Sequence, residues 1–85
     1  MIHRGGLYEV DFPRTGPHPC VVLTRQEAIP VPGSVTVAFV SSTRRGHPAE
    51  VALDEDRLEI RPGSVVNCDD LATLPKQMLG KSRAI

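Results

Sequence analysis

Tryptophan is absent from this 85-residue chain, and its aromatic side chains amount to one Tyr and two Phe. A surface that binds by stacking rings has little to draw on, so hydrogen bonding must supply more of any recognition. Ten Lys and Arg balance ten Asp and Glu. That neutrality excludes a global basic field, and any anion site must be local. Two cysteines, Cys20 and Cys68, stand far apart in apolar surroundings without a Cys-x-x-Cys motif. Two buried, reduced thiols in a cytosolic protein are expected rather than a disulfide. His3, His18 and His47 lack metal-ligand spacing, which argues against a zinc site. The first residues carry no signal-peptide core, and no run approaches the roughly twenty apolar residues of a membrane span. A cytoplasmic location without membrane contact is the expectation. Walker loops, Gly-x-Gly-x-x-Gly, nucleophile elbows and His-Glu-x-x-His are missing too.

What the chain does contain is a succession of short apolar runs punctuated by proline and glycine. LYEVDF at 7–12 reads as a first strand stopped by Pro13, with Leu7, Tyr8, Val10 and Phe12 available for packing. Pro13–Pro19 reads as a stiff loop in which His18 is held between two prolines. Cys20–Thr24 is continuous rather than alternating, as in a strand covered on both faces. Arg25–Gly33 is a connection, Val35–Val40 the strongest strand, and Ala49–Leu53 a fourth. Asp54–Gly63 is a charged excursion ending in a Pro-Gly turn. Ser64–Cys68 is a fifth strand, followed by a lead through Asp69 and Asp70 to a helical turn at Lys76–Leu79 and a last extended piece. With almost no helical periodicity, the expected fold is mainly β: a strongly curved antiparallel sheet or partly open, barrel-like sheet with a short helical turn. At this length a single core is barely sufficient, and a dimer or partner is expected to supply the rest.

The most informative stretch is VTVAFVSSTRRGHPAEV at 35–51. A buried strand ends at Ser41, Ser42, Thr43, Arg44 and Arg45, whose hydroxyls and guanidiniums can converge on a phosphate. Taken alone, two loop arginines are usually a solvated face. His18 has a surface-loop reading as well as a chemical one, Asp69 and Asp70 can simply cap the turn that follows them, and Tyr8 suits the core better than a stacking platform.

The order RGGLYEVDF (4–12), HPCVVLT (18–24), VAFVSSTRRGHPAEV (37–51), PGSVVNCDDLATL (62–74) and LG (79–80) resembles the MazF/PemK toxins of bacterial toxin-antitoxin systems over nearly the whole chain. The resemblance implies a CcdB/PemK-like, SH3-like barrel and a homodimer. It also implies a ribosome-independent endoribonuclease, using no metal or cofactor, that cuts single-stranded RNA in mRNA at short sequences. A cognate MazE-like antitoxin would lay a disordered acidic tail in the RNA groove. In that chemistry the ribose 2′-OH attacks the adjacent phosphate and leaves 2′,3′-cyclic phosphate and 5′-OH ends, which calls for a base, an acid and donors to the charged transition state.

Position by position, the family's catalytic Arg corresponds to His18 and its catalytic Thr to Ser41. Serine keeps the hydroxyl, whereas histidine exchanges a fixed fork of donors for a side chain that ordinarily titrates near ~6.5. His18 and Ser41 are therefore the expected catalytic pair, with Ser42, Thr43, Arg44, Arg45, Asp69 and Asp70 as RNA-binding groups. Asp70 stands where the family commonly has Gln, and Ala72 where it has a basic residue. The loop between the first two strands is short for the family, and a single toxin domain over 1–85 without the family's C-terminal helix is expected. A second reading, a noncatalytic module that binds antitoxin or a CcdB-like protein target, is favoured by the neutral charge and the absent Arg.

Overall fold

The computed structural model describes residues 2–12, 16–31, 33–43, 45–53 and 63–82. Six strands alternate with turns: β1 (Leu7–Phe12), β2 (Gly16–Val22), β3 (Ser34–Ser41), β4 (Glu50–Ala52), β5 (Val65–Pro75) and β6 (Leu79–Ser82). Short 3-10 turns at Gln26–Ala28 and Lys76–Met78 are the helical elements among the described residues. None is long and apolar enough to cross a membrane. The strands form one antiparallel sheet in the order β4-β5-β3-β2-β1-β6.

That order forces curvature. β5 and β6 are joined by Lys76–Met78 alone, yet four strand positions separate them in the sheet. Laid flat, those positions would stand about 19 Å apart. The chain from Pro75 to Leu79 reaches at most about 14 Å. The sheet therefore curls until β6 lies against the free edge of β1, as Val10↔Leu79 and Tyr8↔Ser82 record. The mainly β, barrel-like fold expected from the sequence is the fold observed.

Period-two alternation fills the concave side. Tyr8, Val10, Cys20, Val22, Val35 and Val37 share that face and, with Ile29 from the β2–β3 connection, make the buried cluster. Each buried aliphatic side chain contributes about 1.5–3 kcal/mol. Phe12, Phe39, Leu74, Met78 and Leu79 pack around it. Tyr8 belongs to the core, as anticipated, and its hydroxyl accepts the His3 N–H at 3.0 Å.

Three expectations need correction. β2 begins at Gly16, inside the segment read as a loop, so His18 lies in a strand. Pro17 and Pro19 are tolerated because odd-numbered β2 residues point their N–H toward β3, as Leu23 does toward the Thr36 carbonyl at 2.9 Å. The β2–β3 pairing covers only Cys20–Val22, so no bond is lost where the prolines stand. β5 continues to Pro75 rather than stopping at Cys68, and Thr73 joins Thr36 by a 2.9 Å hydroxyl contact across the sheet. The two thiols are free, but only Cys20 is buried; Cys68 is exposed. The charged excursion lies outside the described residues up to Gly63.

Candidate active site

The site begins where the core face runs out of aliphatic residues. β2 pairs with β3 through Cys20↔Phe39, and two residues further along these strands lie His18 and Ser41, on the same face as that pair. Rings run from His18 toward β3: His18 meets Phe12 edge-on at 5.5 Å between centroids, and Phe12 meets Phe39 at 6.0 Å. The two expected catalytic side chains thus flank an aromatic strip.

Ser41 ends β3 and organises the turn beyond it. Its Oγ accepts the Thr43 N–H at 3.1 Å and lies 3.2 Å from the Thr43 carbonyl, to which it can donate. A hydroxyl accepts and donates independently, so Ser41 can hold the turn while turning its proton to a ligand oxygen. Ser42 and Thr43 are exposed, and Thr43 lines the adjoining pocket whereas Ser42 does not. Arg44 lies outside the described residues.

The next group is not evident from the sequence. Glu50, the first residue of β4, accepts the backbone N–H groups of Arg45, Gly46 and His47 at 3.0–3.2 Å. Gly46 sits at φ +74°, a left-handed conformation that side chains disfavour and that lets three successive amides turn onto one carboxylate. The Arg45 amide foremost, then those of His47 and Gly46 and the nearby His47 charge, hold the Glu50 carboxyl below its ordinary value despite some desolvation. A glutamate four positions after a glycine in a polar loop was its only signal in the sequence.

His47 Nδ1 accepts the Ala49 N–H at 3.0 Å, which leaves Nε2 toward Asp69 at 3.8 Å. Asp69 and Asp70 sit in a bulge of β5. Ala38 pairs with Leu71 and the next residue, Phe39, with Asn67, so Cys68, Asp69 and Asp70 are extra to the β3 register. Asn67 Oδ1 accepts the Asp69 N–H at 3.0 Å and shapes the bulge, while the Cys68 N–H reaches the Ala49 carbonyl at 3.0 Å. Neither aspartate caps a helical turn.

Between bulge and loop lies a pocket of about 150 Å³, lined by Phe39, Val40, Ser41, Thr43, Arg45, Glu50, Asn67 and Asp70. It gathers Ser41, Thr43, Arg45 and Asp70 of the expected groups and adds Phe39, Glu50 and Asn67. Asp69 belongs to the contact with His47 instead. No cluster of metal-ligating side chains occurs among the described residues.

Residues 3–84 match the family of PemK-like, MazF-like toxins of type II toxin-antitoxin systems. The chain belongs to that family. It is 35% identical over 75 residues to "Probable endoribonuclease MazF2" of Mycobacterium tuberculosis, covering 88% of this chain and 72% of the relative. It is 40% identical over 63 residues to "Endoribonuclease MazF3" of the same organism, covering 74% and 60%. Among solved structures, the M. tuberculosis toxin MazF-mt6 superposes with a TM-score of 0.81 at 31% identity, over 94% of this chain and 78% of that one. A mycobacterial endoribonuclease in complex with its cognate antitoxin shares the fold, with a TM-score of 0.80 at 24% identity, over 100% and 81%.

Proposed function

We propose that this toxin is a sequence-specific, ribosome-independent endoribonuclease that cuts single-stranded mRNA without a metal ion, with His18 and Ser41 at its centre. The observation that carries the reading is the Ser41 hydroxyl at the β3 exit, on one face with His18 and beside a polar pocket. Family membership and the endoribonuclease names of its relatives support the chemistry.

In the reaction a bond forms between the ribose 2′-oxygen and phosphorus as the bond from phosphorus to the 5′-oxygen breaks. The 2′-OH proton must leave and the 5′-oxygen must gain one. In this reading His18 exchanges such a proton, and Ser41 donates to a phosphate oxygen as charge builds there. Glu50 is an unsuitable base, because its carboxylate is engaged by three amides. Arg45 and Thr43, with Ser42 and Arg44 by sequence position, supply contacts to the RNA backbone.

The same reading extends to partners. The toxin works as a single domain in the cytoplasm, is held in check by a MazE-like antitoxin with an acidic tail, and forms a homodimer. Val51 and Leu71, exposed on the sheet face that also carries Ala38, Val40 and Val66, offer apolar surface for such contacts. Incubating the purified chain with a long single-stranded RNA in EDTA tests the activity. Discrete fragments ending in 2′,3′-cyclic phosphate are expected, whereas intact RNA together with tight antitoxin binding would establish the noncatalytic module instead.

A further inference from the structure

We infer that Glu50 is a positioning residue for RNA binding: it fixes the backbone of the β3–β4 loop so that the Arg45 guanidinium meets the phosphate chain. The inference rests on reading this face as an RNA groove.

An arginine on a free loop makes a costly contact, because the rotamers of the side chain and the freedom of the loop must both be frozen when the ligand arrives. This loop is held beforehand. At its near end the Ser41 hydroxyl accepts the Thr43 N–H. At its far end Glu50 accepts the Arg45 N–H with both carboxylate oxygens, at 3.2 and 3.1 Å, and the Gly46 and His47 N–H groups with Oε1, at 3.0 and 3.2 Å. The Glu50 N–H closes the turn onto the His47 carbonyl at 3.0 Å. Glu50 itself belongs to β4, opposite Asn67 of β5. The sheet thus fixes the carboxylate, and the carboxylate fixes the loop.

Which part of Arg45 the carboxylate engages decides what is left for a ligand. Glu50 takes the Arg45 amide, and among the described residues the exposed Arg45 guanidinium enters no ion pair. The Arg45 charge therefore stays available beside Ser41 and Thr43, which border the same pocket. The amide dipoles meanwhile offset the Glu50 charge that would otherwise repel a phosphate. Small changes break the arrangement. Aspartate at position 50 falls a methylene short of the amides, and a side chain at Gly46 is strained by the left-handed φ of +74°.

The experiment measures binding of the full chain, in EDTA and over a range of salt, to a fluorescent mixed-sequence 2′-O-methyl oligoribonucleotide, whose blocked 2′-oxygen cannot attack. Charge alone and positioning give opposite signs. Removing a carboxylate beside a polyanion tightens binding if only charge counts. Acting through Arg45, Glu50→Ala should instead weaken binding on the order of fivefold and reduce the salt slope by about 0.7, the share of one phosphate contact on a single strand. Arg45→Ala should do the same, and the double variant should lose no more than either alone. Gly46→Ala, which disturbs the same clamp without changing charge, should follow Glu50→Ala and serves in its place if that variant does not fold. Wild-type affinity in the clamp variants, or losses that add in the double variant, would overturn the inference and leave the groove standing. A wild type that does not bind the oligonucleotide would remove the groove reading and the inference together. Intact RNA in the cleavage assay, with the coupling of Glu50 to Arg45 preserved, would sink the nuclease chemistry alone.

Discussion

His47 Nε2 stands 3.8 Å from the Asp69 carboxylate and joins the loop after β3 to the bulge of β5, the two walls of the pocket. Both side chains are more than half exposed, at 52% and 70%, so water and salt screen their attraction. A double-mutant cycle of His47→Ala and Asp69→Ala should give a coupling below about 1 kcal/mol that shrinks further with added salt. A larger, salt-insensitive coupling would show that the pair is desolvated.

Glu50 should make the β3–β4 loop acid-sensitive. Its folded-state pKa is depressed from the ordinary 4.5, so its contribution is present above that value and lost as pH falls through the lower folded value. The Arg45, Gly46 and His47 amides should therefore lose protection from hydrogen exchange in that acid range, ahead of the sheet. Glu50→Gln should flatten the dependence. Loop amides that follow the same acid profile in Glu50→Gln would contradict this role.

His18 and Ser41 can be told apart by activity. His18→Ala should lower the rate of RNA cleavage roughly 10²–10⁴-fold by removing the proton-exchanging group. Ser41→Ala should lower it too, and should also loosen the turn that Ser41 holds through Thr43. Ser41→Thr, which keeps the hydroxyl, should recover most of the rate. Cleavage retained in both alanine variants would show that the centre lies elsewhere.

Much of this architecture was legible in the residues. β1, β3 and β4 announced themselves because apolar runs end at proline, at hydroxyls or in a charged segment. The start of β2 is hidden in the sequence because Pro17 and Pro19 suggest a loop; which neighbour their missing N–H would face is a tertiary fact. The second half of β5 is hidden behind Asp69-Asp70, where the pair signals a turn and the structure makes a bulge. Beyond it, Ala72 and Leu74 alternate inward with Leu71 and Thr73 outward. Of the candidate site, His18 and Ser41 are proposed from their place in the order of segments, and the strand register sets them on one face. Glu50 and Asn67 are not legible in the sequence, since both act on backbone amides whose positions only the folded loop and bulge define.

Gly6 should resist substitution. An added Cβ would stand 2.6 Å from Cε2 of the buried Tyr8 ring and 2.9 Å from the His3 carbonyl. Moving that ring also disturbs the bond between its hydroxyl and His3. Gly6→Ala should cost about 1–3 kcal/mol in chemical denaturation. A variant as stable as the wild type would show that the Tyr8 ring can shift without loss.

The two thiols should react in sequence. A water-soluble thiol reagent at neutral pH should label exposed Cys68 promptly and Cys20 only when the chain unfolds. Burial pushes the Cys20 thiol up to about 11 from 9.0, against a smaller opposing hydrogen bond from the Tyr8 backbone. Because the folded pKa is the higher one, this thiol's contribution is intact below pH 9 and fades as pH rises toward 11. Equal labelling rates for both thiols in the native protein would contradict the burial.

The bulge in β5 gives the molecule a place to change without refolding. Cys68, Asp69 and Asp70 have no counterpart on β3, while Val65–Asn67 and Leu71–Pro75 keep their own partners on either side. Exchanging the side chains of Asp69 and Asp70 need disturb neither flanking register on β3. Leu74 and Ala72 stay packed against the core, Val65 and Val66 stay buried, and only the pocket wall is rewritten. A scaffold built this way separates what must stay constant for folding from what can vary for choice of target.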